Sequence, residues 1–577
     1  IAMSFSIYFR TMPQRMPIAN DWAENAVLNF YTNQVQAQVN QQYPNLPQQN
    51  KDALVQSQLQ TFKKENKELI NSQTTQLAEQ YRNNFRDDQG TLYLLGIDPY
   101  YYYRQTEFVL SNGFPGTSIK PDGTLWDDER LAPIGREAEW GFHHWFGAQW
   151  HKFLNLFGDF PLMFSFFFVG TIFSALTVIP AFFIGRRLTK NNVGGFFTAM
   201  LIAVSSFFVA RTTGESSDTD VYSVFFPVLI AWLFIEAMQA SEVKKKIMWI
   251  SLAGFATGVF AFAWTGWWYI ATFILVALLV HVAYLLLTHW NTRSTFFKSP
   301  ALTSPLTVIG IYCLSSAIFI SVFSSLNQFI RILKGPFQFI SLKAVAVTSF
   351  WPNIRTTVAE LNVASFTNVI EQLGGNLLLT LAIAGIIILL LQKNKEGKRE
   401  ILVPFFLAIW LAASFYATTK GVRFILQITP VFSITLGICM GLAWHYSSTW
   451  ISKELKLHKL VTQTIMFAIL ALLLISPIKS GYSQAFNSVP SVNDEWYNAL
   501  TKIKTEAPEN IIITSWWDFG HWFKAMANRP VTFDGGTQTY WGAHWVGKSL
   551  LTTEEKNSMG IVRMLNCGQN NAFIELD

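Results

Sequence analysis

From about residue 160 to residue 478 the chain repeats one pattern, an apolar block followed by a short polar loop. Blocks of roughly 17–25 apolar residues match the hydrocarbon thickness of a bilayer at helical rise, so each predicts a membrane-spanning helix. The blocks fall at 161–185, 193–210, 222–239, 247–264, 266–288, 302–323, 376–392, 401–418, 423–445 and 460–478, and residues 1–9 read as the tail of an eleventh. Alternate short loops are basic: Arg186, Arg187 and Lys190; Lys244, Lys245 and Lys246; Arg293 and Lys298; Lys393, Lys395, Lys398 and Arg399; Lys453, Lys456 and Lys459. Cytoplasmic loops carry excess Lys and Arg, which puts these inside. Segments 9–160, 211–221, the turn at 265, 324–375, 419–422 and 479–577 are then outside, and the alternation is never broken.

The transmembrane unit is thus expected over 1–478, with large outer loops at 10–160 and 324–375. Residues 23–92 are rich in Gln and Asn, with sparse apolar residues at helical spacing, and predict one or two polar helices inserted in the first outer loop. Residues 479–577 begin a water-exposed unit. There "NIIITSWWDFG" reads as a short β-branched strand ending in a turn, and "TTEEKNSMGIVRML" as a capped helix, a mixed α/β beginning. The chain starts Ile-Ala-Met inside an apolar stretch and ends "AFIELD", so it reads as truncated at both ends.

Composition changes this picture little. The net charge of +6 is concentrated in loops, where it reports topology and gives no reason to expect nucleic acid. Three cysteines exclude a disulfide framework, and Cys313 and Cys439 lie in apolar runs as expected for membrane-buried thiols.

The candidate chemistry sits on the outer side. Asp98 precedes a proline and four tyrosines in "GIDPYYYYRQTE", where it can serve as a helix cap or as a functional acid. Asp218 and Asp220, in "ARTTGESSDTDVY", form an Asp-x-Asp pinned between two spans. That is either a solvated turn or a hard-oxygen site suited to Mg2+ or Mn2+. Glu360 lies in "RTTVAELN". Arg423, in "TTKGVRFIL", sits where an outer loop enters a span, either snorkelling or ready to pair with a phosphate. In "ITSWWDFGHW", Trp516 and Trp517 could belong to an interfacial aromatic belt, but a belt does not require Asp518 and Gly520 in a fixed turn.

Taken together these stretches resemble the catalytic subunit of the oligosaccharyltransferases. "WWDFG" is similar to that family's Trp-Trp-Asp-Tyr-Gly signature, with Phe519 in place of Tyr, and "DPYYYYR", "SSDTDVY", "TVAE" and "GVRF" resemble its aspartate, Asp-x-Asp, Ser/Thr-x-x-Glu and arginine motifs, in the same order and on the same side. The resemblance implies a GT-C membrane fold of about 11–13 spans followed by the start of a mixed α/β extracytoplasmic domain. It also implies transfer of an oligosaccharide from a polyprenyl phosphate or pyrophosphate carrier to Asn in Asn-x-Ser/Thr, in the cell membrane, by a single-subunit enzyme. On this basis Asp98, Asp218, Asp220 and Glu360 would form the metal and catalytic cluster, with Mg2+ or Mn2+ as cofactor, and Asp98 and Glu360 would engage the acceptor amide. Trp516, Trp517 and Asp518 would read the Ser/Thr hydroxyl, and Arg423 would hold the carrier phosphate. The Asp-Pro-Tyr and Thr-Val-Ala-Glu forms suggest an archaeal type, and the outer unit of about one hundred residues is shorter than is usual for the family. Two rivals differ in kind. A lipid-linked sugar glycosyltransferase of the GT-C class shares the spans and acidic loop but has no use for the tryptophan motif. A transporter carries its ionisable groups near the bilayer midplane, and these spans are almost free of acids.

Overall fold

A computed structural model describes residues 1–214, 219–289, 299–342, 358–393, 399–538 and 540–571. Among them, seven helices are long and apolar enough to cross a membrane: Leu162–Thr189, Thr219–Gln239, Val243–Ala263, Trp268–Thr288, Ala301–Phe323, Val422–Glu454 and Lys459–Phe486. Two bent pairs raise this to nine, Asn192–Val204 with Ser206–Thr212 and Phe366–Gln372 with Asn376–Leu391, and Leu402–Thr418 is a shorter apolar helix. Each predicted block therefore falls on an apolar helix, and residues 1–9 fall on helix Ala2–Thr11. The chain is an integral membrane protein.

Helix Ile425–Glu454 forms the hub, packing against Asn192–Val204, Asn376–Leu391 and Lys459–Ala471. Gly437 and Gly441 recur four residues apart on the face toward Gly194 and Thr198, where an added Cβ would collide with the neighbouring helix. Small residues at that spacing let two apolar helices approach closely where the hydrophobic effect is absent. The chain bends by 52° after Val204. Buried Arg10 donates to the carbonyl of Ala203 (3.1 Å) and to Thr212 Oγ1 (2.7 Å), satisfying a carbonyl that the broken helix leaves open.

The outer segments differ from expectation in three places. The polar insertion holds three helices, Ile18–Gln42, Gln48–Glu65 and Lys67–Asn83, around a small core of Val27, Tyr31 and Ile70, and begins before residue 23. A three-stranded antiparallel sheet of Ser118–Ile119, Leu125–Asp127 and Arg136–Glu137 lies in the first loop, where no sheet was expected. The strand expected in "NIIITSWWDFG" reduces to a single parallel bridge between Ile513 and Val531. Its partner is shared: Val531 donates to Glu129 O and accepts from Ala132 N–H, both at 2.9 Å, so the first loop takes up hydrogen bonds that a longer ladder would have supplied. The helix expected in 552–565 is Glu555–Gly568. Of the two thiols expected in the membrane interior, Cys439 is buried and Cys313 only half-buried.

Candidate active site

Three segments converge at Leu95. Its N–H donates to the carbonyl of Gly214, at the start of the Asp-x-Asp loop (3.0 Å), and its carbonyl accepts from Ser491, at the entry to the last outer segment. Three residues later Asp98 stands at the N-cap of helix Pro99–Asn112 and makes no side-chain cap bond. Its carboxylate is largely exposed and lies 3.9 Å from Nε2 of His521, the residue after Gly520 of the tryptophan motif.

Asp220 is buried at the foot of helix Tyr222–Gln239. Its carbonyl accepts from Ser223 Oγ (2.7 Å), and Tyr222 is hydrogen-bonded to His143 Nδ1 (2.8 Å), which fastens this turn to the first loop. Glu360 occupies a short 3-10 turn, Ala359–Leu361, held against Val422–Phe424 by the Val422 N–H to Asn362 O bond (2.8 Å). Two guanidiniums then join the acids. Arg211 reaches Glu360 at 2.5 Å and Asp220 at 3.4 Å, and Arg423 reaches both at 3.6 Å. The result is a closed ring of two carboxylates and two arginines. Asp218 lies outside the described residues.

Beside the ring is a cavity of about 590 Å³, lined by Trp264, Trp268, Tyr269, Phe339 and Phe424 among others, with Arg423 in its wall. An apolar cavity with few polar groups is the usual form of a small-ligand site. The ring and the cavity therefore set charged groups beside an aromatic-lined space.

The tryptophan motif forms a 3-10 turn, Trp517–Phe519, running into helix Gly520–Ala525. Trp516 packs edge-on against Phe533 (5.8 Å) in a cluster with Ala543 and Val546. Trp517 Nε1 is buried with no hydrogen-bond partner among the described residues, and burial pushes the Asp518 carboxyl above its ordinary range. Phe519 stacks on Trp496 (5.1 Å) and contacts Trp522, so its ring is engaged by apolar packing without a hydroxyl.

The arrangement brings Asp220, Glu360 and Arg423 together and sets Asp98 against the tryptophan segment. Sequence reasoning missed two residues, Arg211 and His521. Both lie inside the quoted motifs, and an arginine at the end of a span was the available signal for the first. Among the described residues, no three His, Cys, Asp or Glu side chains gather as a metal site. Asp220 and Glu360 offer hard carboxylate oxygens of the kind a divalent cation takes, and in this structure both are held by the two arginines.

The N-terminal profile of the oligosaccharyl transferase STT3 family matches residues 68–480. The chain belongs to the STT3 family. This STT3 chain is 28% identical to a dolichyl-phosphooligosaccharide-protein glycotransferase of Methanococcus voltae, over 86% of the chain and 64% of that relative. Its fold is similar to that of the archaeal oligosaccharyltransferase AglB from Archaeoglobus fulgidus, solved with an inhibitory peptide and a dolichol-phosphate (TM-score 0.60, 19% identity, covering 82% of this chain and 65% of that one). The Archaeoglobus enzyme has also been solved in complex with Zn and sulfate (TM-score 0.56, 17% identity, covering 84% and 64%). The STT3 chain thus spans about two thirds of the length of these relatives. The GT-C membrane fold is that of the family, and the archaeal form expected from the motifs agrees with these relatives.

Proposed function

We propose that this chain transfers an oligosaccharide from a polyprenyl phosphate or pyrophosphate carrier to the side-chain nitrogen of Asn in Asn-x-Ser/Thr, on the extracytoplasmic face and as a single subunit. The observation that carries the reading is the ring of Asp220, Glu360, Arg211 and Arg423 beside the aromatic cavity. The cavity takes the apolar carrier, and Arg423 offers its guanidinium to the carrier phosphate. The Archaeoglobus relative binds the same two ligand classes, a peptide and a dolichol-phosphate.

An amide nitrogen is a poor nucleophile because its lone pair is delocalised into the carbonyl. Asp98 and Glu360 accept hydrogen bonds from the two N–H groups of the acceptor Asn, which weakens that delocalisation, and one carboxylate takes the proton lost on transfer. The new bond joins this nitrogen to the anomeric carbon, and the bond from that carbon to the carrier phosphate oxygen breaks. A divalent cation, Mg2+ or Mn2+, held by Asp98, Asp218, Asp220 and Glu360 would supply positive charge to the leaving phosphate. Trp516, Trp517 and Asp518 read the Ser/Thr hydroxyl. Asp518 accepts a hydrogen bond from it, Trp517 Nε1 has no other partner among the described residues, and the indoles exclude water.

The test uses the full-length protein in membranes, a lipid-linked oligosaccharide and a fluorescent Asn-x-Thr peptide, read by gel shift. A shift is expected and is lost with Gln for Asn, with Val for Thr, and with EDTA. Label appearing on lipid or free sugar with no peptide shift would move the chain to lipid-linked glycosyl transfer and sink the proposal.

A further inference from the structure

Helix Arg331–Ile340 has two apolar faces. One packs on the protein: Ile332 and Gly335 are buried, and the missing side chain of Gly335 leaves room for the indole of Trp268, which a Cβ would overlap. Phe339 on the same side meets Trp268 (6.2 Å) and Phe424 (5.0 Å) edge-on. The other face carries Ile330, Leu333, Phe337 and Ile340, which are 44%, 72%, 75% and 55% exposed. Their spacing of three, four and three residues places them on one stripe. Arg331, Lys334 and Gln338 form a polar edge between the two faces. Lys420 adds a cation at the C-terminal end, donating from Nζ to Ile340 O (2.8 Å).

Four large apolar side chains in one exposed stripe call for an apolar partner. The neighbouring surface identifies it. Leu314, Ile318 and Val322 are exposed along span Ala301–Phe323, and Leu326, 62% exposed on the short helix Leu326–Phe329 that follows, stands in the chain between them and Ile330. The stripe is thus continuous with a surface that faces lipid. We infer that helix Arg331–Ile340 lies flat in the bilayer leaflet on the site's side, with its stripe at the acyl boundary and Lys334 at lipid phosphates, while Arg331 turns inward to Thr265 O. Amphipathic helices with cations on their polar edge bind membranes in this way, and the long cationic stems reach up to the headgroups. Through Pro336 and Phe339 the same helix also walls the aromatic cavity.

The test places spin labels in the full-length protein, with Cys313, Cys439 and Cys567 changed to Ser, in nanodiscs of phosphatidylcholine and phosphatidylglycerol. Labels go at Leu333→Cys and Phe337→Cys and, for comparison, at Lys334→Cys. Collisions with oxygen are expected to exceed those with a water-soluble nickel chelate at 333 and 337, and the order to reverse at 334. Nickel access at 333 and 337 equal to that of oxygen overturns the inference, because the stripe then faces water. Low access to both reagents also overturns it, because protein then covers the stripe. A benzophenone amino acid at Phe337, with the native cysteines kept, is an independent check: a lipid adduct is expected by mass spectrometry, and a cross-link to protein alone counts against the inference. Neither readout involves glycosyl transfer, so this inference stands or falls apart from the proposed function.

Discussion

Arg211 and Arg423 each bridge Asp220 and Glu360. Two carboxylates gathered on the same cations repel one another, and because Glu360 is more than a third exposed, solvent screens that repulsion. Arg211 answers the repulsion from a half-buried position with one guanidinium nitrogen on both acids, and Arg423 faces them from the cavity. Arg211→Gln is expected to lower the initial rate of glycopeptide formation by about 10²-fold, the scale seen when one preorganised charge is removed from a site. Arg211→Lys should recover only part of it, since an ammonium lacks the planar fork of donors. A rate within two-fold of wild type for Arg211→Gln, at unchanged melting temperature, would show that the ring is not part of the chemistry. The acids were legible in the sequence because each stands in a short pattern at an outer loop. Arg211 was not, because an arginine at the end of a span also suits plain snorkelling. Only the fold brings Glu360, from a distant loop, against it.

At the scale of elements, the spans were legible because a run of apolar residues has few other uses. The bend at Ser205 was not, since the donor that meets the carbonyl beside it is Arg10, on another helix. The sheet at 118–137 was missed because strands of two and three residues carry no alternation to read. Helix Phe142–Leu154 shows how a single side chain can set an element's pH response. His144 Nε2 accepts the Gly141 N–H at the start of this helix (2.8 Å), and Nδ1 is buried without a partner among the described residues. Burial, then the neighbouring His143, pulls the His144 pKa down to about 3. An unfolded His titrates near about 6.5, so the unfolded chain binds a proton below that pH while the folded one does not. The stability tied to a neutral His144 is therefore complete above about pH 6.5 and is lost as pH falls toward 3, by up to about 1.4 kcal/mol per pH unit. His144→Gln, whose amide oxygen can still accept, should flatten the fall in melting temperature between pH 6.5 and 4. Parallel curves for variant and wild type would refute this account.

Across the whole molecule, the first outer loop and the last hundred residues fold as partners, which no local pattern in either could announce. Asp534 is fully buried and paired with Lys524 from its own segment and with Arg130 from the first loop (3.4 Å), while Arg130 also donates to Tyr101 Oη (3.1 Å). These cations hold the Asp534 carboxyl well below the usual carboxylate range. The backbone bonds of Val531 to Glu129 and Ala132 run alongside. Arg104 adds a bond to Asn528 from the helix that begins at Asp98. The position of Asp98 beside His521 therefore rests on this joint, and not on either segment alone. Removing one partner of a buried ion pair costs about 3–5 kcal/mol, because the other charge stays buried. Asp534 would keep Lys524, so Arg130→Met should fall toward the lower end of that range. Hydrogen exchange in membranes is then expected to quicken at residues 129–132 and 530–533 and to stay unchanged in span Val422–Glu454. On the proposed function, transfer to the Asn-x-Thr peptide should fall with it, since Asp98 loses its fixed distance from the turn Trp517–Phe519. If exchange quickened while transfer held its rate, the joint would be structural only, and Asp98 would have to be positioned from the membrane side, through Leu95 and Gly214.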